Sequence, residues 1–207
     1  MRILKFLIFF ISLNVFSQHT PLNEVAVKEF KVKTAEKAAA LKSLSGDFIQ
    51  SKHMAMIEEK AESKGKFYYR SPDILKWEYV TPYDYRVLFK NDKLYLNDEG
   101  HKSVTDAKSN KLIEKLAKLI SGSVNGKLLE DNENFSTEYY RHNDQFLVKM
   151  IPRDENLSHI FRELLMVFDE DLMVRSVKLK DESGDFTKIE FKNLKVNQPI
   201  PDSVFQN

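Results

Sequence analysis

Two hydrophobic rhythms alternate along the chain. Between Val25 and Leu44 the larger apolar residues Val27, Phe30, Leu41 and Leu44 recur at helical intervals, with Ala38 filling the gap. Asn23 is placed to cap this helix and Ser45-Gly46 to end it. From Asp47 the period drops to two. Phe48-Ile-Gln50, Gly65–Arg70, Leu75–Tyr79, Tyr85–Phe89 and Leu94–Leu96 read as strands, with Leu75, Trp77 and Tyr79 on one face and Lys76 and Glu78 on the other. Residues 106–120 return to the helical period: Leu112, Ile113, Leu116, Leu119 and Ile120 form a stripe opposite Lys111, Glu114, Lys115 and Lys118. Strands resume at Phe135–Arg141, Phe146–Ile151, Ile160–Phe168, Leu172–Leu179 and Phe186–Leu194, separated by turn signals such as His142-Asn-Asp144 and Asp181-Glu-Ser-Gly184.

Strands that follow one another as meanders pair antiparallel, and around ten of them approach the limit for one open twisted sheet. The pattern therefore predicts an α+β chain, predominantly β, with a strongly curved antiparallel sheet covered by two helices. The helices do not alternate with the strands, which excludes a βαβ fold. No shift in composition marks a domain boundary.

The first residues carry a different signal. Arg2 and Lys5 precede the apolar run Phe6–Ile11, and Val15-Phe16-Ser17 offers a cleavage site before Gln18. Residues 1–17 are expected to be a signal peptide and 18–207 a single exported domain. The apolar stretch is short for a bilayer-spanning helix. Cleavage removes two basic residues and takes the formal charge from +1 to −1. Such a balance argues against a nucleic-acid partner. The chain has no cysteine, which excludes disulfides, thiolate nucleophiles and Cys-ligated zinc, so its core must hold it together unaided.

Catalytic signatures are absent from the sequence. The five histidines are scattered, and neither H-E-x-x-H, G-x-S-x-G nor a phosphate-cradling glycine loop occurs. Acidic clusters such as Asp169-Glu-Asp171 fall at expected hairpin tips, where solvated turns are the ordinary reading. No enzyme, cofactor or metal site is expected. The informative excess is aromatic: Phe67, Tyr68, Tyr69, Trp77, Tyr79, Tyr83, Tyr85, Phe89 and Tyr95 crowd one third of the chain. Periodicity alone leaves two uses for them, a filled core or the lining of a hollow left inside a curved sheet.

The blocks Asp47-Phe-Ile-Gln50, Gly65-Lys-Phe-Tyr-Tyr-Arg-Ser-Pro72, Leu75-Lys-Trp-Glu-Tyr79 and Thr81-Pro82 resemble the N-terminal part of the LolA family. That family comprises periplasmic carriers of outer-membrane lipoproteins. Phe191–Asn197 with Pro199, Ile200, Pro201 and Phe205 resembles its last strand and tail. The resemblance implies an incomplete β-barrel with a helical lid and an apolar cavity in a periplasmic, monomeric chaperone. It would receive lipoprotein acyl chains from an inner-membrane ABC lipoprotein-releasing complex and pass them to an outer-membrane acceptor. Phe48, Phe67, Tyr69, Leu75, Trp77, Tyr79 and Phe89 are the cavity candidates, and Leu112, Ile113, Leu116, Leu119 and Ile120 the lid. In that family a basic residue directly before a proline latches the lid. Here Ser71 precedes Pro72, so Arg70, one place earlier, is the candidate latch; a solvated arginine on the other sheet face is the alternative.

Each buried methylene gains roughly 0.8 kcal/mol, so a long acyl chain gains on the order of 10 kcal/mol. Reversible transfer needs an opposing cost, and a stripe displaced from the cavity by the lipid would supply one. A carrier of another lipid or lipid-linked molecule, a hydrolase with dispersed carboxylates, and a fully packed envelope protein are the competing readings.

Overall fold

A computed structural model describes residues 19–55, 57–106, 122 and 126–206, without the side chains of 57–60. The expected signal peptide and the stripe Leu112, Ile113, Leu116, Leu119 and Ile120 lie outside these residues. The described chain forms one twelve-stranded antiparallel sheet that does not close on itself. β1 (Thr20–Pro21) precedes helix α1 (Glu24–Ala40). Then follow β2 (Ser43–Met54), β3 (Ile57–Arg70), β4 (Ile74–Thr81), β5 (Tyr85–Lys90), β6 (Lys93–Asp98) and β7 (His101–Asp106). The second half holds β8 (Phe135–His142), β9 (Gln145–Pro152), a one-turn helix α2 (Glu155–Ser158), β10 (Glu163–Phe168), β11 (Val174–Lys180) and β12 (Phe186–Val196).

Within each half the strands pair in chain order, as local hairpins require. Two-residue connections with left-handed residues join several of them. Asn91 and Asp92 have φ of 53° and 57° between β5 and β6, and Glu99-Gly100 serves β6 and β7 with φ of 47° and 96°. Both follow the sense of hairpin turns matched to strand twist. What unites the halves is the pairing of β12 with β2, which brings Phe191 opposite Phe48 and Ile189 opposite Gln50. The resulting order runs β1-β8-β9-β10-β11-β12-β2-β3-β4-β5-β6-β7.

Helix α1 begins where the sequence suggests, with the Asn23 carboxamide oxygen accepting the Ala26 N–H at 2.9 Å. Its end differs. The helix stops at Ala40, Leu41 adopts an extended conformation, and Leu44 is already on β2. Asn197, beyond the end of β12, takes up the groups exposed there. Its Oδ1 accepts from Lys42 N at 2.7 Å and Ser43 N at 3.3 Å, while Nδ2 donates to Ala40 O at 3.3 Å. Gly46 is accordingly a strand residue, where a Cβ would stand 2.7 Å from the Lys192 carbonyl oxygen.

Other boundaries also move. Asp106 ends β7 instead of opening a helix. Ile160 follows α2, and β10 begins at Glu163. Leu172 belongs to a turn, with φ of 58°, closed by Asp169 Oδ1 accepting from Met173 N at 2.8 Å. The run 57–64 shows little hydrophobic alternation, yet it is strand because β2 pairs along its length and β4 joins it at Lys64.

α1 covers one end of the concave face. Phe30, 2% exposed, sits among Tyr139, Phe146 and Phe168, with ring centroids 5.8, 4.7 and 5.4 Å away. These rings come from β8, β9 and β10, so the helix leaves the rest of the concavity to other side chains.

Candidate functional site

The remaining concavity holds a cavity of about 400 Å³. One wall comes from β4, β5 and β6, through Leu75, Trp77, Tyr79, Tyr85, Val87, Phe89 and Leu94. The facing wall comes from β10, β11 and β12 with the turn after α2, through Phe161, Leu164, Val177, Leu179, Ile189 and Phe191. All of these except the two tyrosines, with their hydroxyls, are hydrocarbon or indole surface. Period-two alternation sets the direction of each: Val177 pairs with Ile189 and Leu179 with Thr187, so one row after another faces inward.

Four of the sequence candidates, Leu75, Trp77, Tyr79 and Phe89, reach the cavity surface. Phe48, Phe67 and Tyr69 do not. They are 1%, 0% and 1% exposed and form a layer behind the lining. Phe48 stacks on Trp77 at 4.1 Å between centroids, and Phe67 meets Phe191 at 5.1 Å. Phe48 can lie flat there because its cross-strand neighbour is Gly65, whose Cβ would come within 2.5 Å of the ring. Tyr69 sends its hydroxyl to the Pro72 carbonyl at 2.8 Å.

Arg70 alternates with Tyr69 and therefore points away from the cavity. The C-terminal tail holds it: one guanidinium nitrogen donates to Asp202 Oδ1 at 2.6 Å, another to the Ile200 carbonyl, and the guanidinium lies 4.6 Å from the Phe205 ring centroid. The hydrogen bond from Arg70, with its charge, holds the Asp202 carboxyl below its ordinary range.

The polar part of the lining is small. Gln50, Lys52 and Thr187 contribute, and Asp181 and Asp185 belong to the β11–β12 turn. Both aspartates are engaged there, Asp185 Oδ1 accepting from Ala55 N at 2.7 Å and Asp181 Oδ1 from the Ser183 hydroxyl at 2.6 Å. The Tyr79 hydroxyl donates to Gln50 Oε1 at 2.9 Å. Burial pushes the Tyr79 pKa up from its ordinary value. Among the described residues there is no group of three acidic or histidine side chains placed to hold a metal ion, and no helix long and apolar enough to cross a membrane.

Sequence reasoning missed the second wall. Leu164, Val177, Leu179, Ile189 and Phe191 carry the alternating signal of half-buried strands, but only the β12–β2 pairing turns them toward Trp77. Gln50 gave no signal that set it apart from an ordinary strand residue.

The described residues thus present an open antiparallel sheet around an apolar hollow. Residues 39–207 match the model of the outer membrane lipoprotein carrier protein LolA, and the chain belongs to that family. An outer-membrane lipoprotein carrier protein of Methylococcus capsulatus is 27% identical over 169 residues, covering 80% of this chain and 76% of its own. One from Chromohalobacter salexigens is 27% identical over 176 residues, covering 83% and 80%. A chain in the complex structure of Pseudomonas aeruginosa MucA/MucB superposes with a TM-score of 0.53 at 12% identity, over 88% of this chain and 61% of that one. That likeness concerns the fold.

Proposed function

We propose that this protein carries the acyl chains of lipoproteins through the periplasm, from the inner to the outer membrane, inside the cavity between the β4–β6 and β10–β12 walls. The observation that carries the reading is the cavity itself: about 400 Å³ lined almost wholly by apolar side chains in a member of the lipoprotein carrier family. Such a hollow rewards hydrocarbon and little else, since transfer of apolar surface from water is the favourable term. Leu75, Trp77, Tyr79 and Phe89 contact the chain in this reading, and Phe48, Phe67 and Tyr69 keep the wall rigid behind them. Loading comes from an inner-membrane ABC complex and unloading goes to an outer-membrane acceptor, with no bond made or broken by the carrier, which acts as a monomer.

Native mass spectrometry of the chain beginning at Gln18, mixed with a triacylated peptide without detergent, tests this. A one-to-one complex is expected. No complex would refute the reading, and a copurified lipid of another kind that the peptide cannot displace would redirect it to that lipid.

A further inference from the structure

We propose that Gln50 recognises the carbonyl group that joins an acyl chain to its head, making the cavity selective for acyl esters and amides over plain hydrocarbon. This rests on the carrier reading and names a chemical feature of the cargo. Gln50 is the next inward position after Phe48 on β2, opposite Ile189 on one side and Ser63 on the other. It lines the cavity among hydrocarbon neighbours. The Tyr79 hydroxyl donates to its carboxamide oxygen at 2.9 Å, which leaves the Nε2 end of the amide outside that bond. The two Nε2 donors then stand at the cavity surface with no acceptor from the described residues.

A donor pair in that position has consequences for what can fill the space. Water can satisfy it while the cavity is empty. An alkyl chain laid across it expels that water and leaves the N–H groups unmet. A chain whose carbonyl reaches the same point replaces the water with an equivalent acceptor. Sites built to hydrogen-bond a ligand group discriminate against analogues lacking it for this reason. Lys52, one inward position further along β2, and the turn carrying Asp181 and Asp185 continue the polar edge outward, so the head lies toward Lys52 and the chain toward Trp77 and Leu164.

The test uses Trp77, the sole tryptophan of the chain, as the reporter of cavity occupancy. A peptide bearing a diacylglyceryl group and its dialkyl ether analogue, alike in length and head, are titrated separately. The unmodified protein is expected to bind the diacyl probe about fivefold to tenfold more tightly, the scale of one neutral hydrogen bond. Gln50→Met, which has no donor to leave unmet, is expected to bring the two affinities together, chiefly by tightening binding of the ether probe. Tyr79→Phe, which frees the carboxamide to turn, is expected to shrink the preference and serves if Gln50→Met does not fold. Equal binding of both probes by the unmodified protein overturns the inference and leaves the carrier reading standing. A full preference retained in either folded variant does the same. Binding of neither probe overturns the carrier reading and the inference with it.

Discussion

Replacing Phe48 with alanine asks how much of the stability resides in the layer behind the cavity. The ring is 1% exposed, stacks on Trp77 at 4.1 Å and meets Tyr79 edge-on at 5.2 Å. Truncating a buried phenylalanine costs about 3–5 kcal/mol, and the cost rises when neighbours cannot move into the gap. Here they cannot do so easily. The facing residue is Gly65, which has no side chain to advance, and a Cβ on it would stand 1.9 Å from the Glu78 carbonyl oxygen. The loss should therefore fall near 4–5 kcal/mol, a large share of a total of about 5–15 kcal/mol. For a chain of this length that lowers Tm by roughly 10–15 °C. Thermal melts followed by far-UV circular dichroism provide the measure. Trp77 emission should shift to the red in the same variant as its stacking partner is lost. A Tm within about 3 °C of the parent protein would refute the assignment of Phe48 to the structural layer.

Three further outcomes follow from named contacts. Asn197→Ala removes the groups that close the end of α1, and with its φ of 54° it should cost about 2 kcal/mol, seen as a Tm lower by roughly 4–8 °C; Asn197→Gly, which tolerates that φ, should lose less. Burial pushes the Tyr139 hydroxyl up from 10.0 to about 12, so the folded state holds its proton more tightly than the unfolded chain. The associated stability, roughly 2–3 kcal/mol, is present below pH about 10 and lost as the pH rises to about 12. Urea titrations across that range should show the loss, and Tyr139→Phe should diminish it. Asp202 has the opposite sign: its pKa is held below the ordinary 3.8 by Arg70, so the tail contact persists above that pH and weakens as the pH falls through the lower, folded value. The Phe205 ring resonances should then drift toward unfolded positions on acidification, and Arg70→Ala should place them there already at neutral pH; resonances that ignore both changes would sink the tail-clamp account.

Much of the strand inventory was legible because half-buried strands announce themselves by alternation. Leu75, Trp77 and Tyr79 stand inward with Lys76 and Glu78 outward, as the pattern requires. Legibility failed where local sequence and tertiary pairing disagree. The charged run 57–64 has little apolar rhythm of its own and is strand because β2 pairs alongside it. Ser45-Gly46 has the composition of a helix stop, yet Gly46 is needed where strands crowd, and the helix ends earlier because Asn197 reaches across from the far end of the chain. Among the cavity candidates, the sequence could identify aromatic residues facing inward but could not separate Trp77, at the surface of the hollow, from Phe48 and Phe67, just behind it.

Local pattern was enough for the mainly antiparallel architecture, the inward and outward faces of most strands and the family that the blocks around Trp77 and Pro72 resemble. These depend on neighbours a few residues apart, where period, capping and turn chemistry act directly. Only folding across the chain sets β12 against β2, Val177 and Ile189 opposite Trp77 across a hollow, Gln50 in the lining beside Tyr79 and Arg70 against the tail. Those facts arise from groups about 130 residues apart in several cases, such as Arg70 and Asp202. The closure of so long a loop leaves no periodic trace in the chain, only in the contacts that repay its entropy.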